Sequence, residues 1–146
     1  MKIGIDLDGV ITPIGLINPS LKLPHWLYIL LVPIILFMVP TKKEELRKIA
    51  KNHEVVIVSA RPKWSQKLTE GWLRYHRIPF KKLYCLGFGK GTKERKLKLI
   101  REEKIQIFVE DDRKILKFLK QNSINALSNF EFLTASFEGL FCLKEI

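Results

Sequence analysis

The chain has 146 residues, 47% of them hydrophobic and 28% charged, and a formal net charge of +11 from 26 Lys+Arg against 15 Asp+Glu. That length suits one domain able to bury about 70% of its unfolded surface, and the apolar content excludes a disordered chain. With only Cys85 and Cys142 there is no disulfide framework and a reducing, cytoplasmic setting is expected, while the cationic surplus favours encounters with anionic partners.

The opening Met1-Lys2-Ile3-Gly4-Ile5-Asp6-Leu7-Asp8 carries two acids where a signal peptide would be apolar, so no leader is expected. Lys2 to Asp6 reads as a first strand. From Leu23 to Thr41 no residue is charged, and Trp26 to Val39 is almost wholly apolar. This approaches the ~20 residues of a membrane span. A span here would put the first and second strands on opposite sides of a bilayer, and Pro33 interrupts a continuous helix.

Thr41 is placed to cap a helix running through Leu46 and Ile49 to Lys51, with Glu44 at the capping-box position. Val55-Val56-Ile57-Val58-Ser59 is the clearest strand, β-branched until its last residue. A helix from Ser65 would put Leu68, Trp72 and Tyr75 on one face and stop before Ile78-Pro79; Trp64 and Trp72 read as core. Leu83 to Leu86 is a third strand, followed by a glycine-rich loop from Gly87 to Gly91. That loop is not a nucleotide-binding P-loop, because Tyr84 stands where its first glycine belongs and Gly91 where Ser or Thr would follow the lysine. Thr92 to Lys104 reads as a basic helix with Leu97 and Ile100 inward, Ile105 to Val109 as a fourth strand and Lys114 to Gln121 as a helix. Asn125 to Ser128 is a weak fifth strand, and the tail from Asn129 to Ile146 carries no clear assignment. Strands alternating with helices predict an α/β fold, a Rossmann-like doubly wound parallel sheet, over residues 1–146.

In such sheets ligands bind beyond the carboxyl ends of the strands. Asp6 and Asp8 follow the first strand, Ser59-Ala60-Arg61 the second, and Glu110-Asp111-Asp112 the fourth. Crowded carboxylates repel one another unless a cation sits among them, and oxygen donors without a His or Cys cluster favour a hard ion such as Mg²⁺. A carboxylate beside a metal-neutralised phosphate is a nucleophile toward phosphorus, and a second moves protons.

Ile5-Asp6-Leu7-Asp8-Gly9-Val10, Val58-Ser59-Ala60-Arg61 and Phe108-Val109-Glu110-Asp111-Asp112 together resemble the first, second and fourth motifs of the haloacid dehalogenase superfamily. The resemblance spans about residues 1 to 128 and points to small Mg²⁺-dependent, nucleotidase-like phosphatases. It implies Asp6 as nucleophile, Asp8 as the proton donor and then base, and Ser59 as a hydrogen-bond donor to the phosphoryl group. Mg²⁺ would be held by Asp6, the Asp8 main-chain carbonyl and a fourth-motif acid. Two registers are open for that acid: Glu110-Asp111 makes it Asp111, the preferred choice, and Asp111-Asp112-Arg113 makes it Asp112. The phosphate lysine is one of Lys90, Lys93 and Lys96, and Lys93, at the start of its helix, is the choice made from position. With Ser59 and Ala60, Arg61 would bind the substrate phosphate or else pair with the fourth-motif acids.

The same resemblance makes the insertion at about 13–40 a cap. Its apolar part is read first as a buried element on the core or on a second subunit, giving a homo-oligomer through 23–40. An interfacial membrane contact is the second reading, with Lys22, Lys42 and Lys43 at the lipid surface, and an apolar lid for a greasy phosphate substrate the third. The expected reaction is hydrolysis of a small phosphorylated substrate. The alternative is a catalytically silent basic module that binds a membrane surface or nucleic acid. No run interleaves aromatic and basic residues, so nucleic acid is not expected as a partner.

Overall fold

The computed structural model describes residues 1–12 and 37–137. Most of the expected cap, and with it the apolar stretch assigned to an oligomer, membrane or lid contact, falls on residues outside these. Among the described residues no helix is long and apolar enough to cross a membrane.

Five strands, β1 (Lys2–Asp6), β2 (Glu54–Ser59), β3 (Lys82–Cys85), β4 (Ile107–Glu110) and β5 (Ala126–Ser128), form one sheet in the order β3-β2-β1-β4-β5. Every pairing is parallel; Ile5 lies opposite Ile57 on one side and Val109 on the other. The helices are α1 (Lys43–Asn52), α2 (Gln66–Tyr75), α3 (Thr92–Glu102), α4 (Arg113–Gln121) and α5 (Asn129–Phe137), with a 3₁₀ turn at Lys63–Ser65.

Side chains alternate along a strand, so a strand covered on both faces must be apolar at every position. Residues Val55 and Ile57 of β2 join Ile3, Ile5 and Val109 beneath Leu46 and Ile49 of α1, Trp72 and Leu73 of α2, and Phe132 of α5. Their neighbours Val56 and Val58 join Phe108 and Ala126 on the other face, under Leu97 and Ile100 of α3 and Ile115 and Leu119 of α4. The fold is therefore α/β and doubly wound, as the alternation predicts.

Three local expectations are corrected. Thr41 does not cap α1; its hydroxyl donates to the Val10 and Ile11 carbonyls, tying the chain before α1 to the turn after β1, and Lys42 takes the cap position without a side-chain bond to the helix. Helix α2 turns Thr69, Trp72 and Leu73 inward, while Leu68 and Tyr75 are exposed. Trp64 is not core, being 54% exposed on the 3₁₀ turn. The unassigned tail begins with α5.

Candidate active site

Because all strands are parallel, their carboxyl ends share one edge, and the strand order reverses beside β1. Two groups of charged side chains meet there.

The first is an acid cluster, buried at Asp6 and Glu110 and exposed at Asp111. Asp6 ends β1, Glu110 ends β4 and Asp111 follows it; each offers a carboxylate oxygen, all within 4.8 Å of one another. Asp6 is 5% exposed and Glu110 1%. Between them lies Lys96 of α3, 1% exposed, whose Nζ donates to Asp6 Oδ1 at 2.9 Å and to Glu110 Oε2 at 2.6 Å. Burial, then the charge of Glu110, pushes the Asp6 carboxyl well above its usual range. Burial raises Glu110 and Asp111 as well. For Lys96 burial alone would favour the neutral amine, but the charges of Asp6 and Glu110 and the bonds to them hold it as the ammonium. Three carboxylates against one ammonium leave excess negative charge, and the donors are all oxygen. The set fits a hard divalent cation such as Mg²⁺.

The second group is a clamp on Asp8. Arg61, 4% exposed, donates from Nη2 to Asp8 Oδ1 at 2.7 Å and from Nε to Oδ2 at 3.1 Å. Ser59 Oγ donates to Asp8 Oδ2 at 3.1 Å and accepts the Arg61 backbone N–H at 3.0 Å. The Arg61 fork is completed by Nη1 donating to Thr69 Oγ1 of α2 at 3.3 Å. Gly9 joins the two groups: its φ is +90°, and a Cβ there would lie 1.8 Å from Asp111 Oδ2, so only glycine lets the chain turn this close to the cluster.

Asp6, Asp8, Ser59, Arg61 and Asp111 are thus brought to one edge, with Ala60 buried between Ser59 and Arg61. Asp112 is turned away; its Oδ1 accepts the N–H groups of Lys114 at 2.8 Å and Ile115 at 3.2 Å, capping α4. Lys93 is not brought to the acids either. Its side chain is half exposed, with Nζ 4.7 Å from the Phe118 ring centroid and 3.9 Å from Glu94. Arg61 pairs with Asp8 and not with the fourth-motif acids. Lys96 and Glu110 are the partners that position along the chain did not single out. A signal existed for the lysine: α3 buries Thr92, Lys96 and Ile100 at four-residue spacing, so Lys96 stands on the core stripe and Lys93 off it. Helical side chains also lean toward the N-terminus, which here is the strand-end side.

No protein-family model matches the chain, and no curated protein matches it. Among solved structures it is similar to a chain of the Pnkp1/Rnl/Hen1 complex, with a TM-score of 0.65 and 14% identity over 87% of this chain and 45% of that one. A chain of the Pnkp1/Rnl/Hen1 RNA repair complex gives 0.63 and 16% over 87% and 42%. The chain spans less than half the length of these neighbours, and what it shares with them is the Rossmann-like α/β fold.

Proposed function

We propose that the chain is a Mg²⁺-dependent phosphomonoester hydrolase that works through an aspartyl-phosphate on Asp6. The observation that carries this reading is the Asp6–Glu110–Asp111 cluster with Lys96 inside it, at the carboxyl edge of a doubly wound sheet. The fold likeness to components of an RNA repair complex is in keeping with phosphate-ester chemistry.

Asp6, Glu110 and Asp111 would hold Mg²⁺, which when bound supplies charge neutralisation for the entering phosphate. A carboxylate oxygen of Asp6 attacks phosphorus, and the ester oxygen departs with a proton from Asp8. Asp8 then takes a proton from water as it attacks the phosphoryl group, releasing phosphate and restoring Asp6. Lys96 and Ser59 donate to the phosphoryl oxygens as charge builds there. In the structure both Asp8 oxygens accept from Arg61, so Asp8 can deliver a proton only after that clamp loosens. An entering phosphate competes for the same guanidinium fork and so links binding to release of Asp8.

The silent-module reading gives the buried Asp6, Glu110 and Lys96 no purpose. Desolvating two acids and a lysine costs stability, and such perturbed groups gather at functional sites. The test is release of phosphate from a generic aryl phosphate with and without Mg²⁺. Wild type should turn over only with the metal, and Asp6→Asn should be slower by roughly a thousandfold or more. Equal release by Asp6→Asn, or no turnover of any phosphomonoester by the folded protein, would overturn the proposal.

A further inference from the structure

Two exposed aromatic side chains stand on segments that leave the carboxyl edge of the sheet. Trp64 is 54% exposed and stands three residues beyond Arg61, on a turn fixed by Ser65, whose N–H and Oγ both donate to the Pro62 carbonyl at 3.0 and 2.8 Å. Phe130 is 79% exposed in the first turn of α5. It follows Asn129, whose Nδ2 donates at 3.2 Å to the carbonyl of Gly9, the residue packed on Asp111. Trp64 follows β2 and Phe130 follows β5, with β1 and β4, the strands that carry Asp6 and Glu110, between them. At the ~4.8 Å spacing of neighbouring strands, β2 and β5 themselves are about 14 Å apart.

The same edge is cationic. Lys63, Lys67, Lys90, Lys93, Arg113 and Lys114 are exposed in the loops and first helical turns that follow β2, β3 and β4. Of the acids among them, Asp111 belongs to the cluster, Asp112 is engaged as the cap of α4 and Glu94 faces Lys93. Lys63, Trp64 and Lys67 lie in one segment, where basic and aromatic residues do alternate, and the parallel strands gather the remaining cations from separate loops on the same edge.

We propose that the phosphate presented to this site is the end of a single-stranded nucleic acid whose bases stack on Trp64 on one side and Phe130 on the other. Every base has a π-face to stack, and the lysines lie where neighbouring phosphates would pass. The chemistry rests on the hydrolase reading; the stacking does not. Leu68, one turn beyond Trp64, is also exposed, so a lipid surface is the competing occupant, and the surrounding cations decide against a purely apolar one.

The test uses the whole chain and three substrates with Mg²⁺: a phosphate-ended single-stranded decanucleotide, the matching mononucleotide and an aryl phosphate. Binding of a fluorescein-labelled, hydroxyl-ended decanucleotide is measured alongside. The decanucleotide should be preferred over the mononucleotide. Trp64→Ala should lower the decanucleotide-to-aryl ratio of kcat/KM, and the affinity for the labelled strand, by about tenfold. Trp64→Phe should retain both, and Trp64→Leu, which keeps only apolar bulk, should behave as Trp64→Ala. Added salt should weaken strand binding steeply. Turnover of the aryl phosphate without decanucleotide preference, or strand binding indifferent to Trp64→Ala, overturns the stacking and leaves the hydrolase. Trp64-dependent strand binding without turnover of any substrate does the reverse. Trp64-dependent binding to phosphatidylserine vesicles but not to the strand also overturns the inference.

Discussion

Asp111 and Asp112 are adjacent and identical in side chain, yet the fold gives them different work. Asp111 shares the 4.8 Å cluster with Asp6 and Glu110, and the backbone of Gly9 presses on it; Asp112 leaves the cluster to cap α4. Asp111→Asn should therefore raise the Mg²⁺ concentration for half-maximal turnover by about tenfold or more, as removal of one hard ligand does. Asp112→Ala should leave that concentration unchanged and lower stability by about 1 kcal/mol, read from urea unfolding. A Mg²⁺ requirement that follows Asp112 would reverse the assignment. The run of three acids marks the cluster in the sequence, but cluster member and cap are told apart only by the path of the backbone at the strand end. Lys96 was more legible than it looked, since the helical stripe through Thr92 and Ile100 already pointed it inward. Distance along the chain from the strand end favoured Lys93, and distance along a helix says nothing about which face a residue occupies.

At the scale of elements, the amino edge of the sheet is held by charge where the carboxyl edge is spent on the site. Glu103, just past α3, accepts from Lys2 of β1 at 3.2 Å, from Lys82 of β3 at 2.9 Å and from the Tyr84 hydroxyl. These bonds, the one from Tyr84 foremost and then that from Lys82, lower the Glu103 carboxyl from 4.5 to about 2. A carboxyl depressed in the folded state stabilises fully above its unfolded value and loses that contribution as pH falls toward its folded one. The gap in melting temperature between wild type and Glu103→Gln should thus be widest above pH 4.5 and close as pH approaches 2. A gap that stays constant through this window would mean that the loss in Glu103→Gln does not come from the carboxylate charge. Strands such as β2 were legible because both their faces are buried, which forces an unbroken apolar run. Ends shifted by a residue or two, and α5 escaped altogether, because among its described side chains only Phe132 joins the buried core and its apolar pattern is weak.

For the whole molecule, alternation of strands and helices was enough to place the acids at one edge, because a parallel sheet leaves no other position for residues at strand ends. What alternation does not supply is how closely they meet, and that closeness gives a global consequence. The cluster sits where β1, β4 and α3 converge, and repulsion among Asp6, Glu110 and Asp111 works against that convergence, offset in part by Lys96, which pairs with Asp6 and Glu110. A divalent cation binding there acts on the folded state alone, because the unfolded chain scatters the three acids over more than a hundred residues of sequence. At a hundred times its dissociation constant it would add about 2.7 kcal/mol, which for a chain of this size raises the melting temperature by roughly 5–10 °C. Thermal melts across a Mg²⁺ titration should show that rise in wild type and lose most of it in Asp6→Asn, where one ligand becomes neutral. A rise of equal size in the variant would place the ion elsewhere, since a site built from three carboxylates loses both a charge and much of its affinity when one of them is replaced by an amide.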